Sequence, residues 1–360
     1  MRFGALSLAA LLLAGCAARA ADPLASSASE ASSQPSATAT TGLVDIGAGL
    51  QGRPGLRATV EATGIVNVAS LAIDPAGRIW AGTAAFDDAG TDAIYVIAAG
   101  ATPVKVLGGL HTVLGLVWIG DDLYVAAKAS VTAWTGFDGA TFASHRTIVA
   151  FATAVGEVNG IALGPDGRLV VGISAPCNAC VTTDPDSAAV LSFLPDGSDL
   201  RVVASGIRAP VGLAFRSDTG DLLVTMNQRD DLGDATPGDW LAVVERGEDW
   251  GFPDCHGQVT TACAGGPTPA AVLDTHAAAS GVAIVSDALG APGTSAIVAE
   301  WAKGMVLQVA LRGSGSATTG TVTPFLVGLA NPVPVLADGA GGVLVGDWAT
   351  GTVARIAAAD

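Results

Sequence analysis

The amino-acid sequence predicts an all-β protein, a six-bladed β-propeller. A short apolar strand, a turn and a second apolar strand recur six times: "SLAI" with "RIWAG", "GLVW" with "LYVAA", "GIAL" with "RLVVG", "GLAF" with "LLVTM", "GVAI" with "AIVAEW", and "PVPVL" with "VLVGDW". The first strands centre on Ala72, Val117, Ala162, Ala214, Ala283 and Val335, at intervals of 45, 45, 52, 69 and 52 residues. That period, with two strong strands per copy and almost no helical patterning, is blade spacing. A pair of β-sandwiches, the competing all-β arrangement, carries no such regular recurrence.

Within each copy the chemistry agrees with that reading. "DPAGR", "GPDGR" and "SDTGD" separate paired strands, where Asp supplies a side-chain hydrogen bond and Gly the positive φ of a hairpin turn. The strands are rich in Ala, Gly and Val, which suits inner strands converging on a channel. The copies fill residues 44–360.

The preceding residues read differently. Residues 1–16, "MRFGALSLAALLLAGC", carry an early Arg and an apolar core too short to span a bilayer comfortably, the pattern of an export signal. Small residues ahead of Cys16 resemble a bacterial lipobox, which implies cleavage before Cys16 and lipid on its thiol. The alternative is an ordinary secretory peptide cut near Ala18 or Ala20. Residues 17–43 are mostly Ser, Ala and Thr, with too little apolar surface to offset the entropy of ordering, and read as a disordered tether. The chain is thus expected to be exported and lipid-anchored to the bacterial cell envelope.

Composition excludes some functions. Half the residues are hydrophobic and mean hydropathy is +0.51, yet beyond residue 16 no apolar run is long enough to cross a membrane. A formal net charge of -16 with only three lysines repels phosphate backbones, so nucleic acid is not expected as a partner. In an oxidising compartment Cys177, Cys180, Cys255 and Cys263 read as two disulfides. Pairing 177 with 180 and 255 with 263 closes small loops, but three connectivities are open. A zinc site from Cys177, Cys180, Cys255 and His256 is the other use of this spacing.

Charge is scarce, at 14% of residues, but "NQRDDLGD" at 227–234 concentrates it immediately after the strand "LLVTM". The fourth interval exceeds its neighbours by roughly 20 residues, so these charges are expected on an inserted loop lining the propeller mouth. The aspartates do not have EF-hand spacing. The plainer reading is a solvated turn held by an Arg229–Asp contact.

The stretch from Ile207 to Gly257 resembles the quinoprotein glucose/sorbosone dehydrogenase family. It carries Arg208 followed by "PVGLAF", then "NQRDDLGD", then "WGFPDCHG". "SAPCNAC" at 174–180, His276 before "SGVAI" and the closing "NPVPVLADGAGGVLVGDW" are also similar to family elements. The match covers most of the chain from about residue 150; the first two blades match only in propeller character.

The resemblance implies pyrroloquinoline quinone (PQQ) and calcium at the mouth, with hydride removed from a sugar or related alcohol. It places Arg208 near the reacting carbons and at the cofactor, with Asn227, Gln228 and Arg229. Main-chain carbonyls of Arg229 and Asp230, with Asp234 and Asp239, fall near the metal. Lys303 meets a cofactor carboxylate. The sequence also departs from the pattern. The expected catalytic histidine falls at Gly156, leaving Glu157 as the substitute base if burial raises its pKa. Ala209, Trp240, Ala242 and Asn331 stand where the family has Asn, Glu, Asn and Arg. An Asn cannot reproduce the paired hydrogen bonds of a guanidinium on a carboxylate. The alternative function is therefore a non-catalytic propeller of this family that binds a glycan, small ligand or protein at its mouth. A calcium-dependent lactonase drawing on Asn159 and Asn227 is a third reading. His111 and His145 are expected on blade edges, and His276 in a backbone-satisfying role.

Overall fold

A computed structural model describes residues 42–98, 100–152, 155–255 and 263–359. Cys16, the export signal, most of the tether and His256 lie outside the described residues.

The six sequence repeats are six sheets, antiparallel except for one short strand added to blade three, arranged as the blades of a propeller. Their inner strands, Val68–Ile73, Gly115–Ile119, Val158–Leu163, Pro210–Phe215, Ala279–Ser286 and Pro332–Ala337, each contact the next around the ring, and the last contacts the first. In four blades the second strand, such as Leu169–Ile173 or Val343–Asp347, is buried at every position. Covered on both faces by neighbouring blades, these strands read as unbroken apolar runs rather than alternating ones.

The glycine that opens several repeats has a packing cause. A Cβ on Gly160 would stand 2.7 Å from Val211 O, on Gly212 2.4 Å from Ser280 O, and on Gly281 2.6 Å from Val333 O. Only a residue without a side chain lets neighbouring inner strands approach so closely. At the same place the pairing register slips by a bulge in five blades, between the strand's first residue and the second or third residue after it. Bulges there bend each inner strand where the mouth begins.

Ring closure comes from the start of the folded chain. Leu56–Ala62 adds the outermost strand of the sixth blade, antiparallel to Thr352–Ala358. Val44–Gly47 and Leu50–Gly52 extend the fifth blade to six strands. The surplus in the long fourth interval is divided between two excursions. The acidic segment accounts for the residues between Met226 and Trp240. The longer part runs between Val243 and Ala271. There Glu248–Asp249 pairs parallel to the outer strand of blade three, and Trp250 stacks on Trp240 with ring centroids 4.4 Å apart.

Cysteine pairing is Cys177–Cys180 and Cys255–Cys263. This removes the zinc alternative, because three of its proposed ligands are consumed in disulfides. Among the described residues no helix is long and apolar enough to cross a membrane.

Candidate functional site

All six blades converge on a cavity of about 410 Å³ at the propeller mouth. Its walls come from two repeated positions: the residues leading into each inner strand, such as Glu157, Asn159 and Ala209, and those leaving each second strand, such as Ser174, Asn227, Trp301 and Trp348. One face is aromatic. Phe86, Trp301 and Trp348 come from blades one, five and six, with Phe86 centred 4.7 Å from Trp348 and 5.9 Å from Trp301. Phe86 is 79% exposed, so it stands at the rim rather than in a core.

Hydrogen bonds to backbone carbonyls fix this wall. Trp348 Nε1 donates to Ala84 O at 2.8 Å, holding the loop that carries Phe86. Asn331 Nδ2 donates to Trp301 O at 3.1 Å, and Asn331 O accepts the Trp348 amide at 2.9 Å. The residue at the family's arginine position thus braces two tryptophans.

The opposite side is polar and acidic. Asn159, buried, donates through Nδ2 to Ser174 Oγ and to Pro210 O. Asn227 Oδ1 is buried without a partner among the described residues. Asp88 is paired with Lys128 and lies 2.9 Å from His111 Nδ1. The Glu157 carboxylate makes no hydrogen bond or close ion pair among the described residues, and desolvation pushes its pKa above the ordinary carboxylate value despite the opposing field of Lys128.

Arg208 occupies the corner between blades three and four, behind this wall. Its Nε and Nη2 donate to Asn178 O and Oδ1 at 3.0 and 2.8 Å, and Nη1 to Asn227 O at 3.2 Å. It ties the disulfide-bearing loop of blade three to the acidic loop of blade four. Arg229 turns away, gripping Asp231 with two nitrogens at 2.7 and 2.6 Å and donating to Pro253 O. That is the Arg–Asp contact of the plainer reading. Asp230 and Gly233 O are held by the two ring nitrogens of His276, each at 3.1 Å. Of the "NQRDDLGD" segment only Asn227 lines the cavity; Arg229 reaches Pro253 O, Asp230 and Gly233 meet His276 of blade five, and Asp230 and Asp231 bond Asn178 on the disulfide-bearing loop of blade three.

Other residues read from the sequence stand outside the cavity lining. Asp239 is 1% exposed, with Oδ1 accepting the Gln228 amide at 2.8 Å and Oδ2 the Ala279 amide at 2.7 Å. It is a strut between blades four and five, its pKa raised by burial to about 6. Gln228 is buried beside it, Asp234 is exposed on a short 3-10 turn, and Lys303 is exposed. His145 stacks on Trp134 in an outer strand pair. Sequence reasoning missed Phe86, Trp301 and Trp348. The signal was available: Trp301 and Trp348 directly follow their blades' second strands, the same repeat position as Asn227.

No family model and no curated protein matches the chain. Among solved structures it is similar to the PQQ-bound aldose sugar dehydrogenase of Streptomyces coelicolor, at 19% identity over 85% of this chain and 99% of that one, with a TM-score of 0.67. The PQQ domain of pyranose dehydrogenase from Coprinopsis cinerea aligns at 14% identity over 86% and 97%, TM-score 0.68. The calcium structure of a Trichoderma reesei carbohydrate-active enzyme of family AA12 aligns at 16% over 89% and 100%, TM-score 0.69. The fold is that of the quinoprotein sugar dehydrogenases.

The lining does not fit the quinone that the resemblance implies. PQQ is a planar tricarboxylate, and the cavity lining contains two carboxylates and no Lys, Arg or His. Arg208 and Arg229 are engaged with protein oxygens, as above. Among the described residues no group of three or more metal-ligating side chains comes together. The histidine position is closed as well. A Cβ on Gly156 would lie 2.4 Å from Ser174 O and 2.5 Å from Ala175 O, so no imidazole is accommodated without moving the strand exit of blade three.

Proposed function

We propose that this chain is an exported, lipid-anchored propeller that binds a small hydroxylated organic molecule, a sugar or polyol, in its mouth cavity without oxidising it. The observation that carries the proposal is the cavity itself: an aromatic wall from three blades faces buried amide and hydroxyl groups. Aromatic faces cover the apolar side of a small ligand while a few placed polar groups read its hydroxyls. A volume of about 410 Å³ has room for a single sugar ring. Two disulfides support an oxidising compartment, consistent with export.

Tryptophan fluorescence tests the reading directly, since Trp301 and Trp348 line the cavity. Titration with a panel of aldoses and polyols is expected to give saturable quenching that is lost in a Trp348→Leu variant. Absence of saturation across the panel contradicts it.

A PQQ- and calcium-dependent sugar dehydrogenase is the second reading. It is favoured by the gathering of Arg208, Asn227 and the Arg229–Asp230 segment at one corner of the mouth. Reconstitution with PQQ and calcium, followed by dye-linked aldose oxidation, separates the two.

A further inference from the structure

The chemistry of the mouth cavity selects more narrowly than for hydroxyl groups. Phe86, Trp301 and Trp348 meet at centroid separations of 4.7 to 6.2 Å, three rings from three blades forming an open box. The negative face of each ring attracts a cation. Elsewhere in the lining stand two acceptors of unspent capacity among the described residues: the Glu157 carboxylate, which no side chain neutralises at hydrogen-bond distance, and Asn227 Oδ1, buried and unpartnered. The one ammonium nearby, Lys128, is committed to Asp88. No cation projects from the lining, and the molecule's net charge of -16 adds an attractive field over the mouth.

We propose that the ligand of this cavity carries a positive charge: a small amine or quaternary ammonium on a hydroxylated skeleton, its cationic head held among Phe86, Trp301 and Trp348 with Glu157 as counter-ion. This rests on the cavity being the ligand site and sharpens which ligand it takes. An anionic ligand, including a tricarboxylate, meets repulsion at Glu157 and at the faces of the rings. A neutral one offers Glu157 hydroxyl hydrogen bonds but no counter-charge, and so forgoes the stronger charge-assisted contact.

Isosteric pairs differing only in charge provide the test. The full chain is titrated, with tryptophan fluorescence and calorimetry as readouts, using choline against 3,3-dimethylbutan-1-ol and glucosamine against glucose. The expected result is that each cation binds at least tenfold more tightly than its neutral partner, weakening as salt is added. Glu157→Gln, an isosteric change at a carboxylate that makes no hydrogen bond or close ion pair among the described residues and so leaves the melting temperature near that of the parent, is expected to abolish the preference. Trp348→Leu is expected to weaken the cations more than the neutral compounds. Equal or tighter binding of the neutral partners overturns this inference while leaving the cavity as a sugar or polyol site. Binding of none of the four overturns both. A preference for the cation that survives Glu157→Gln and Trp348→Leu places the charge elsewhere and overturns the assignment.

Discussion

Gly156 shows how a single residue bounds the chemistry. Its amide donates to Ser174 O at 3.1 Å, and the space a side chain would need is filled by two backbone carbonyls. Installing the family's base by Gly156→His is therefore expected to lower stability, by on the order of 3 kcal/mol through overpacking, without producing dye-linked sugar oxidation. Thermal unfolding and an activity assay on the same sample check both parts. Residue-level departures of this kind were visible in the sequence as missing His and Arg. What replaced them was not. Asn331 is an unremarked polar residue until its side chain and carbonyl are seen to hold Trp301 and Trp348. Phe86 lies on a turn with no motif, and only its burial-free ring beside two tryptophans assigns it a role. The disulfide pairs, by contrast, followed the small-loop pairing among the three the sequence allowed.

Buried acids tie the elements together at the mouth. Asp92 accepts from Thr83 Oγ1 and the Ala85 and Thr112 amides, Asp347 from the Ala330 and Asn331 amides, and Asp239 joins blades four and five. Glu300, at the end of the second strand of blade five, is fully buried. Its Oε1 accepts the Asp274 amide at 3.2 Å, and Oε2 has no partner among the described residues. Burial, with Asp274 and Asp239 nearby, raises its pKa from the ordinary 4.5 to about 8. A proton is thus retained in the folded state that the unfolded chain releases. Between those two values the unfolded state binds fewer protons, so this group makes stability fall as pH rises, by at most about 1.4 kcal/mol per pH unit. Glu300→Gln is expected to flatten that decline, melting near the parent at pH 5 and above it at pH 8. Identical pH profiles for parent and variant contradict the assignment. The burial of Glu300 was not legible, because an acid following "AIVA" reads as the exposed end of a strand. The acidic "NQRDDLGD" loop was legible as an excursion from blade four, but its charges do not line the cavity, where only Asn227 reaches. Its length was overestimated, since the extra residues of that interval lie mostly beyond Val243, where a second excursion climbs the edge of blade three.

At the scale of the whole molecule the repeats were enough to predict the architecture, because two-sided burial of each second strand and the inner-strand glycines are direct consequences of blades packing in a ring. Closure was not written in the repeats. The strand Leu56–Ala62, which seals the sixth blade, has exposed and buried positions in rough alternation and no partner nearby in sequence. A variant beginning at residue 63 leaves the edge of Thr352–Ala358 unpaired and opens the ring. It is expected to lose cooperative unfolding or fail to accumulate, whereas a variant beginning at residue 53, which loses only the two outermost strands of blade five, is expected to fold with a lower melting temperature. Circular dichroism melts of the two variants distinguish them. If both unfold like the parent, closure does not depend on the strand from Leu56 to Ala62. Likeness of fold to the quinoprotein sugar dehydrogenases also belongs to this scale, whereas the composition of the mouth belongs to individual residues, and here the two diverge.

That divergence is tested most directly by the melting temperature of the full chain with saturating PQQ and calcium. A ligand that binds only the folded state must raise it, by about 2.7 kcal/mol of added stability at a hundred times its dissociation constant. With an acidic, aromatic mouth and no cation in its lining, the protein is predicted to melt at the same temperature with and without them. A rise of several degrees that disappears in Arg208→Ala would contradict this account and restore the quinone to the site.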